Sequence, residues 1–133
     1  MAIQVPVSWG ELMDKISILE IKSERIDDAA KLVNVRAELT ALAGVRDANL
    51  PADRPTLDAL DRLMADIKAV NEALWEIEDD IRDCERARDF GDRFVALARA
   101  VYKTNDKRAE LKREINTLLG SALVEEKSYK PYE

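Results

Sequence analysis

The sequence predicts an all-α protein, an elongated antiparallel bundle of three main long helices with coiled-coil-like packing. Three observations carry that expectation. Between Leu60 and Cys84 apolar side chains recur at alternating steps of three and four residues, the spacing that holds one stripe of a helix against a neighbour. The same spacing returns from Phe90 to Leu118 with two polar interruptions. Four glycines and four prolines in 133 residues leave few places to turn, so the elements must be long. The length fits one domain, residues 1–133, around a single core.

The first helix is predicted over about 9–43. Ser8-Trp9-Gly10-Glu11 reads as a capping box, in which Ser8 accepts an amide proton and Glu11 reaches back. Leu12, Ile16, Leu19, Ser23 and Ile26 follow at helical spacing, and Leu32, Val35, Leu39 and Leu42 resume it with a shifted phase. The shift at Asp27-Asp28 is read as a bend in one continuous helix; the alternative is a break at which those aspartates cap a new one. Gly44 and the stretch from Asn49 to Pro55 supply terminator and loop chemistry.

The second helix is placed at about 56–88, with Asp58 and Asp61 near its positive end. Its seam is Leu60, Leu63, Ile67, Val70, Leu74, Ile77, Ile81 and Cys84. A turn follows at Arg88–Asp92, with Gly91 suited to a left-handed backbone and Asp89 or Asp92 to a cap. The third helix, about 90–119, carries Phe90, Phe94, Leu97, Val101, Thr104, Arg108, Leu111, Ile115 and Leu118 on its seam and ends at Gly120. The tail, 120–133, holds Leu123, Val124, Tyr129 and Tyr132. Those side chains are expected to fold back over the bundle beside Ile3, Val5 and Val7, or to anchor a partner.

Composition removes several function classes. The chain has no histidine, which excludes a Ser-His-Asp triad and the usual zinc clusters. A net charge of -6 argues against sequence-independent nucleic-acid binding, which depends on unopposed Lys and Arg. Arg99, Lys103 and Lys107 do form an i, i+4 stripe, but Asp106 and Glu110 interrupt it. Cys84 is alone and ends an apolar seam, so it reads as a small buried hydrophobe. No apolar run suggests a membrane span, and with no signal-peptide pattern at the start the expected location is the cytoplasm.

A short link between long helices makes a hairpin, and folding about Asp89 sets Leu74 opposite Thr104 and Val70 opposite Arg108. The polar seam positions then form a partly buried layer. Arg108 is its cation, and Glu78 is the expected partner, with Glu20 or Glu24 as competitors. Asn71, Glu78, Lys103, Asn105 and Arg108 are the ligand-binding candidates, able together to hold a phosphate or carboxylate. The plainer reading of the same layer is that it sets helix register.

Glu20, Glu24, Glu76 and Asp79 are the metal candidates, two carboxylates from each of two helices on shared faces. They resemble the Mg²⁺ clamp of helical nucleotide pyrophosphohydrolases, although the Glu-x-x-Glu pair of that family is missing. Otherwise the acids of residues 76–85 face Arg93, Arg99 and Lys103 across the hairpin, or water.

Ser8 to Ile16 running on to Ile26, Leu74 to Asp79, Tyr102 to Asp106 with Arg108, and the ending from Gly120 to Tyr132 together resemble an uncharacterised bacterial family, a domain of unknown function. The resemblance covers nearly the whole chain apart from the loop near Asn49 to Pro55, and implies a bacterial cytoplasmic protein loosely associated with surface-glycan assembly. From the residues themselves the leading expectation is a non-enzymatic binding or scaffolding protein that self-associates and meets another protein, with no cofactor. A Mg²⁺-dependent nucleotide or phosphate hydrolase and a small-anion binder are the alternatives.

Overall fold

The computed structural model describes residues 1–133 and contains helices only: α1 (Trp9–Arg25), α2 (Ala29–Asn49), α3 (Arg54–Ala87) and α4 (Asp92–Leu119). The all-α bundle holds, but it has four helices rather than three. The predicted helix over 9–43 is two. Ile26 leaves the helix with an extended backbone, and the Asp28 side chain accepts from Lys31 N to start α2. The physical reason lies in the pattern itself: Leu32 follows Ile26 at a step of six, and no gentle bend keeps both on one stripe. Breaking the chain lets α2 turn back along α1, so that Val45 and Asn49 lie beside Trp9 and Leu12.

α2 also runs past Gly44 to Asn49, six residues beyond the predicted end. Gly44 faces open space and is an ordinary, if weak, helix position. The stop comes at Leu50, which Pro51 holds in an extended conformation. Asp53 accepts from Thr56 N to cap α3, and Pro55 occupies its first turn, where no amide hydrogen is needed. At the far end of α3 the left-handed residue is Arg88, at φ 53°, and not Gly91. Gly91 instead precedes α4 as its cap, Asp89 Oδ1 accepts from Gly91 N, and Phe90 is exposed outside the helix. Gly120 ends α4 in the left-handed region at φ 61°, as the pattern predicts.

α1 is the hub, packing on α2, α3 and α4, while α3 and α4 pair along their lengths. Ion pairs give the directions. Lys68 meets Glu20 and Glu24 while Arg25 meets Glu72 and Glu76, so α3 runs parallel to α1. Glu11 meets Lys112 and Asp14 meets Arg108, so α4 runs opposite. The core, Leu12, Met13, Ile16, Leu60, Ile67 and Ile115, lies where α1, α3 and α4 converge. α1 has 17 residues and α3 has 34, so the α3–α4 hairpin continues well past the end of α1. Cys84 is buried in that extension and Phe90 stacks edge-on with Phe94 at 5.3 Å. No helix is long and apolar enough to cross a membrane.

Gly10 explains how α1 enters the groove so closely. A Cβ there would stand 2.4 Å from the Lys112 carbonyl oxygen and 3.0 Å from Asn116 Oδ1. Gly10→Ala is therefore expected to cost about 2–3 kcal/mol by overpacking a rigid backbone contact. Gly44→Ala, with nothing within 4 Å, should instead stabilise by about 0.5–1 kcal/mol. Urea denaturation of the two variants checks both signs.

Candidate functional site

Two polar clusters sit in this framework, one at the start of α1 and one further along it, between α1, α3 and α4. The first closes the start of α1. Ser8 Oγ accepts from Glu11 N, Asn116 Oδ1 accepts from Gly10 N at 2.6 Å, and Ser121 Oγ accepts from Trp9 N at 3.1 Å. The amides that begin α1 are thereby taken, which leaves no open anion site at that helix end. Lys112, nearly buried, donates to Glu11 at 2.8 Å and to Glu125 at 2.7 Å. Burial pulls the Lys112 ammonium's pKa down, but its hydrogen bonds to Glu11 and Glu125 outweigh that and leave the pKa raised. Lys112 in turn holds the Glu125 carboxyl below the usual carboxylate range.

Glu125 is where the tail is tethered. From there the tail runs back along α4, with Glu126 near Arg113 and the Tyr132 ring 5.1 Å from Tyr102. It folds over the bundle as expected, but the N-terminal residues Val5 and Val7 lie by α2 instead of beside it.

The second cluster lies in the middle of the bundle. Asp14, fully surrounded, accepts from Asn71 Nδ2 at 2.8 Å, and the same nitrogen donates to Ser17 Oγ at 2.7 Å. Ser17 returns its proton to the Asp14 carbonyl at 2.8 Å. Arg108 Nε stands 3.6 Å from Asp14 Oδ2. The predicted polar layer with Arg108 as its cation is present, but its carboxylate is Asp14. Glu78 pairs with Arg82 on its own helix, while Glu20 and Glu24 both pair with Lys68.

Above this layer, where α1 ends and the hairpin continues, a cleft of about 460 Å³ opens. Ile18, Ile21, Leu74 and Trp75 give it apolar walls. Asn71, Glu78, Asn105 and Arg108 converge on it, joined by Lys22, Asp79 and Arg82. Four of the five ligand candidates thus share one cleft; Lys103 is exposed on α4 and does not line it. Arg108 uses only Nε toward Asp14, so its terminal nitrogens are free to donate, and Lys22 and Asn105 engage no other side chain. A cleft of this size with apolar walls and convergent donors can hold a small molecule carrying an anionic group.

The metal candidates separate. Glu20 and Glu24 sit on Lys68, Glu76 on Arg25, and Asp79 on the rim of the cleft. No three Asp, Glu or Cys side chains come together as metal ligands. Across the hairpin Arg93 does meet Asp80, at 3.8 Å, but Arg99 and Lys103 meet no carboxylate.

Sequence reasoning missed Asp14, Ser17, Lys22, Trp75 and the Lys112–Asn116 cluster as parts of a site. Asp14 and Ser17 flank the α1 seam, and they are buried because α1 has neighbours on three sides. The one usable signal was Gly10, since glycine inside a helix marks a close approach.

A family model described as "Family of unknown function (DUF6165)" matches residues 3–132. Neither a curated protein nor a solved structure gives a significant match.

Removing Arg108 leaves the buried Asp14 carboxylate with Asn71 alone. Arg108→Met should therefore cost about 2–3 kcal/mol, below the value for a fully enclosed pair because Arg108 keeps some water. Adding Asp14→Asn should recover much of that loss in a double-mutant cycle by urea denaturation. The Glu125 tether has a pH signature. Its folded pKa is lowered, so its contribution is complete above the unfolded carboxylate's pKa and disappears as pH falls through the folded value. NMR titration of the Glu125 carboxyl, with the Tyr102–Tyr132 ring contact as readout, should show the tail detaching only at a pH below the usual titration range of a glutamate.

Proposed function

We propose, on the premise that the chain belongs to this family of unknown function, that it is a non-catalytic helical binding protein whose α1–α3–α4 cleft takes a small ligand by an anionic group. One observation carries the reading: Arg108 and Asn105 present free donors into a cleft whose floor is held rigid by Asp14, Ser17 and Asn71. A guanidinium ion-paired through one nitrogen and open at the others suits a phosphate or carboxylate. Trp75 and Ile21 supply apolar contact for the rest of the molecule.

The hydrolase reading has less behind it, because Glu20, Glu24 and Glu76 each already serve a cation of the chain. The reading places the protein in the cytoplasm, in keeping with a single, buried, unpaired Cys84. The suggested tie to surface-glycan assembly makes sugar phosphates and nucleotide sugars the first compounds to try.

The test is a thermal-shift series with inorganic phosphate, nucleotides, sugar phosphates and nucleotide sugars, with and without Mg²⁺. A ligand at a hundredfold excess over its Kd stabilises by about 2.7 kcal/mol, a shift of several degrees for a chain of this size. Lys22→Met and Asn105→Leu, both outside the core, should abolish the shift while leaving the unliganded melting point nearly unchanged. A series in which no anion raises the melting point, or in which both variants respond like the parent chain, would overturn the reading.

A further inference from the structure

The proposed anion site takes up only one end of its cleft. Asn71, Trp75 and Asp79 succeed one another at steps of four along α3, and all three line the opening. At 1.5 Å per residue each step is about 6 Å, so the cleft runs about 12 Å along the helix from Asn71 to Asp79. Asn71 and Arg108 both meet Asp14, at 2.8 and 3.6 Å, and Arg108 therefore lies at the Asn71 end. An anionic group held there leaves the space beside Trp75, one helical turn on, to the rest of the molecule.

Trp75 is the only aromatic side chain in the lining, and it is half-buried. The Arg25 guanidinium stands 5.9 Å from its ring centroid, a cation–π distance, and Arg25 is paired in turn with Glu72 and Glu76. Arg25 does not line the cleft, so it covers the indole from outside and leaves ring surface facing in. An indole already engaged on one side gives up little side-chain freedom when a ligand stacks on the other.

Ile18, Ile21 and Leu74 complete the apolar wall. Such a wall suits the bare faces of an aromatic ring. A sugar ring carries hydroxyls around its edge, and aliphatic neighbours would leave them without partners.

On the reading of the cleft as an anion site, we infer that Trp75 is its stacking platform. The ligand is then a molecule in which a short linker joins an anionic group to an aromatic ring, as in a nucleoside monophosphate. Its ring lies on the indole, and its anionic group meets Arg108 and Asn105 about one turn away. Stacking tolerates any base, so the platform selects for an aromatic ring and not for one particular ring.

Tryptophan fluorescence tests this directly. With Trp9→Phe, a conservative change at the edge of the core, Trp75 is the only tryptophan left in the full chain. Adenosine monophosphate and uridine monophosphate should each quench its emission saturably. Each should also bind more tightly, by about tenfold or more, than ribose 5-phosphate, which has the anion and the sugar without the base. Excess inorganic phosphate should reverse the quenching. Trp75→Leu, followed by thermal shift and checked for unchanged helicity, should cost both nucleotides about tenfold or more in affinity and ribose 5-phosphate far less. Trp75→Phe, which keeps an aromatic face, should recover part of that loss. Nucleotides that bind no more tightly than ribose 5-phosphate, or that bind without quenching Trp75, overturn the inference and leave the anion site standing. No response to any of the four compounds overturns both.

Discussion

α1 has to be buried on three sides, and the other features of the protein follow from that requirement. A helix against one neighbour needs an apolar stripe; a helix among three needs every side chain it turns inward to be either apolar or fully bonded. Leu12, Met13, Ile16, Leu19 and Ile21 meet the first condition, and Asp14 and Ser17 meet the second. No buried side-chain nitrogen or oxygen lacks a partner. The close crossing at Gly10 fixes the depth of α1 in the α3–α4 groove, and the polar layer fixes its position along it.

That arrangement produces the cleft. Because α1 is half the length of α3, the groove it fills does not end where it ends. Ile18, Ile21 and Lys22 form a wall where the groove continues past α1, and Arg108, ion-paired to Asp14, lines the opening. The cleft is therefore a by-product of a length mismatch between helices, lined by donors from the polar layer that sets register. The structural and the ligand readings of the polar layer are compatible, since Asn71 and Arg108 both join that layer and line the cleft.

Much of this was legible in the sequence, and for a common reason. The seams of α3 and α4 need only local periodicity, and their hairpin, the burial of Cys84, the Gly120 stop and the convergence of Asn71, Asn105 and Arg108 all follow from it. The partner of Arg108 did not, because Asp14 comes from a helix whose orientation no local pattern specifies. The break at residues 26–28 was visible as a phase shift, yet a phase shift alone does not separate a bend from a turn. The Asp28 cap decides it, and capping is a contest between a side chain and the helix for the same amide.

α2 stands apart energetically. Val35 is its only buried residue, α1 is the only helix it pairs with, Leu39 and Leu42 are only half-buried, and Val33 is exposed. Peeling it away would expose one face of α1 while leaving the α1–α3–α4 core, the tail tether and the hairpin in place. Its amides should accordingly exchange with deuterated water through a partial opening, well before the rest of the molecule unfolds. The chain thus carries a detachable outer helix, held by three residues of connection at one end and four at the other, whose loss leaves the inner groove whole.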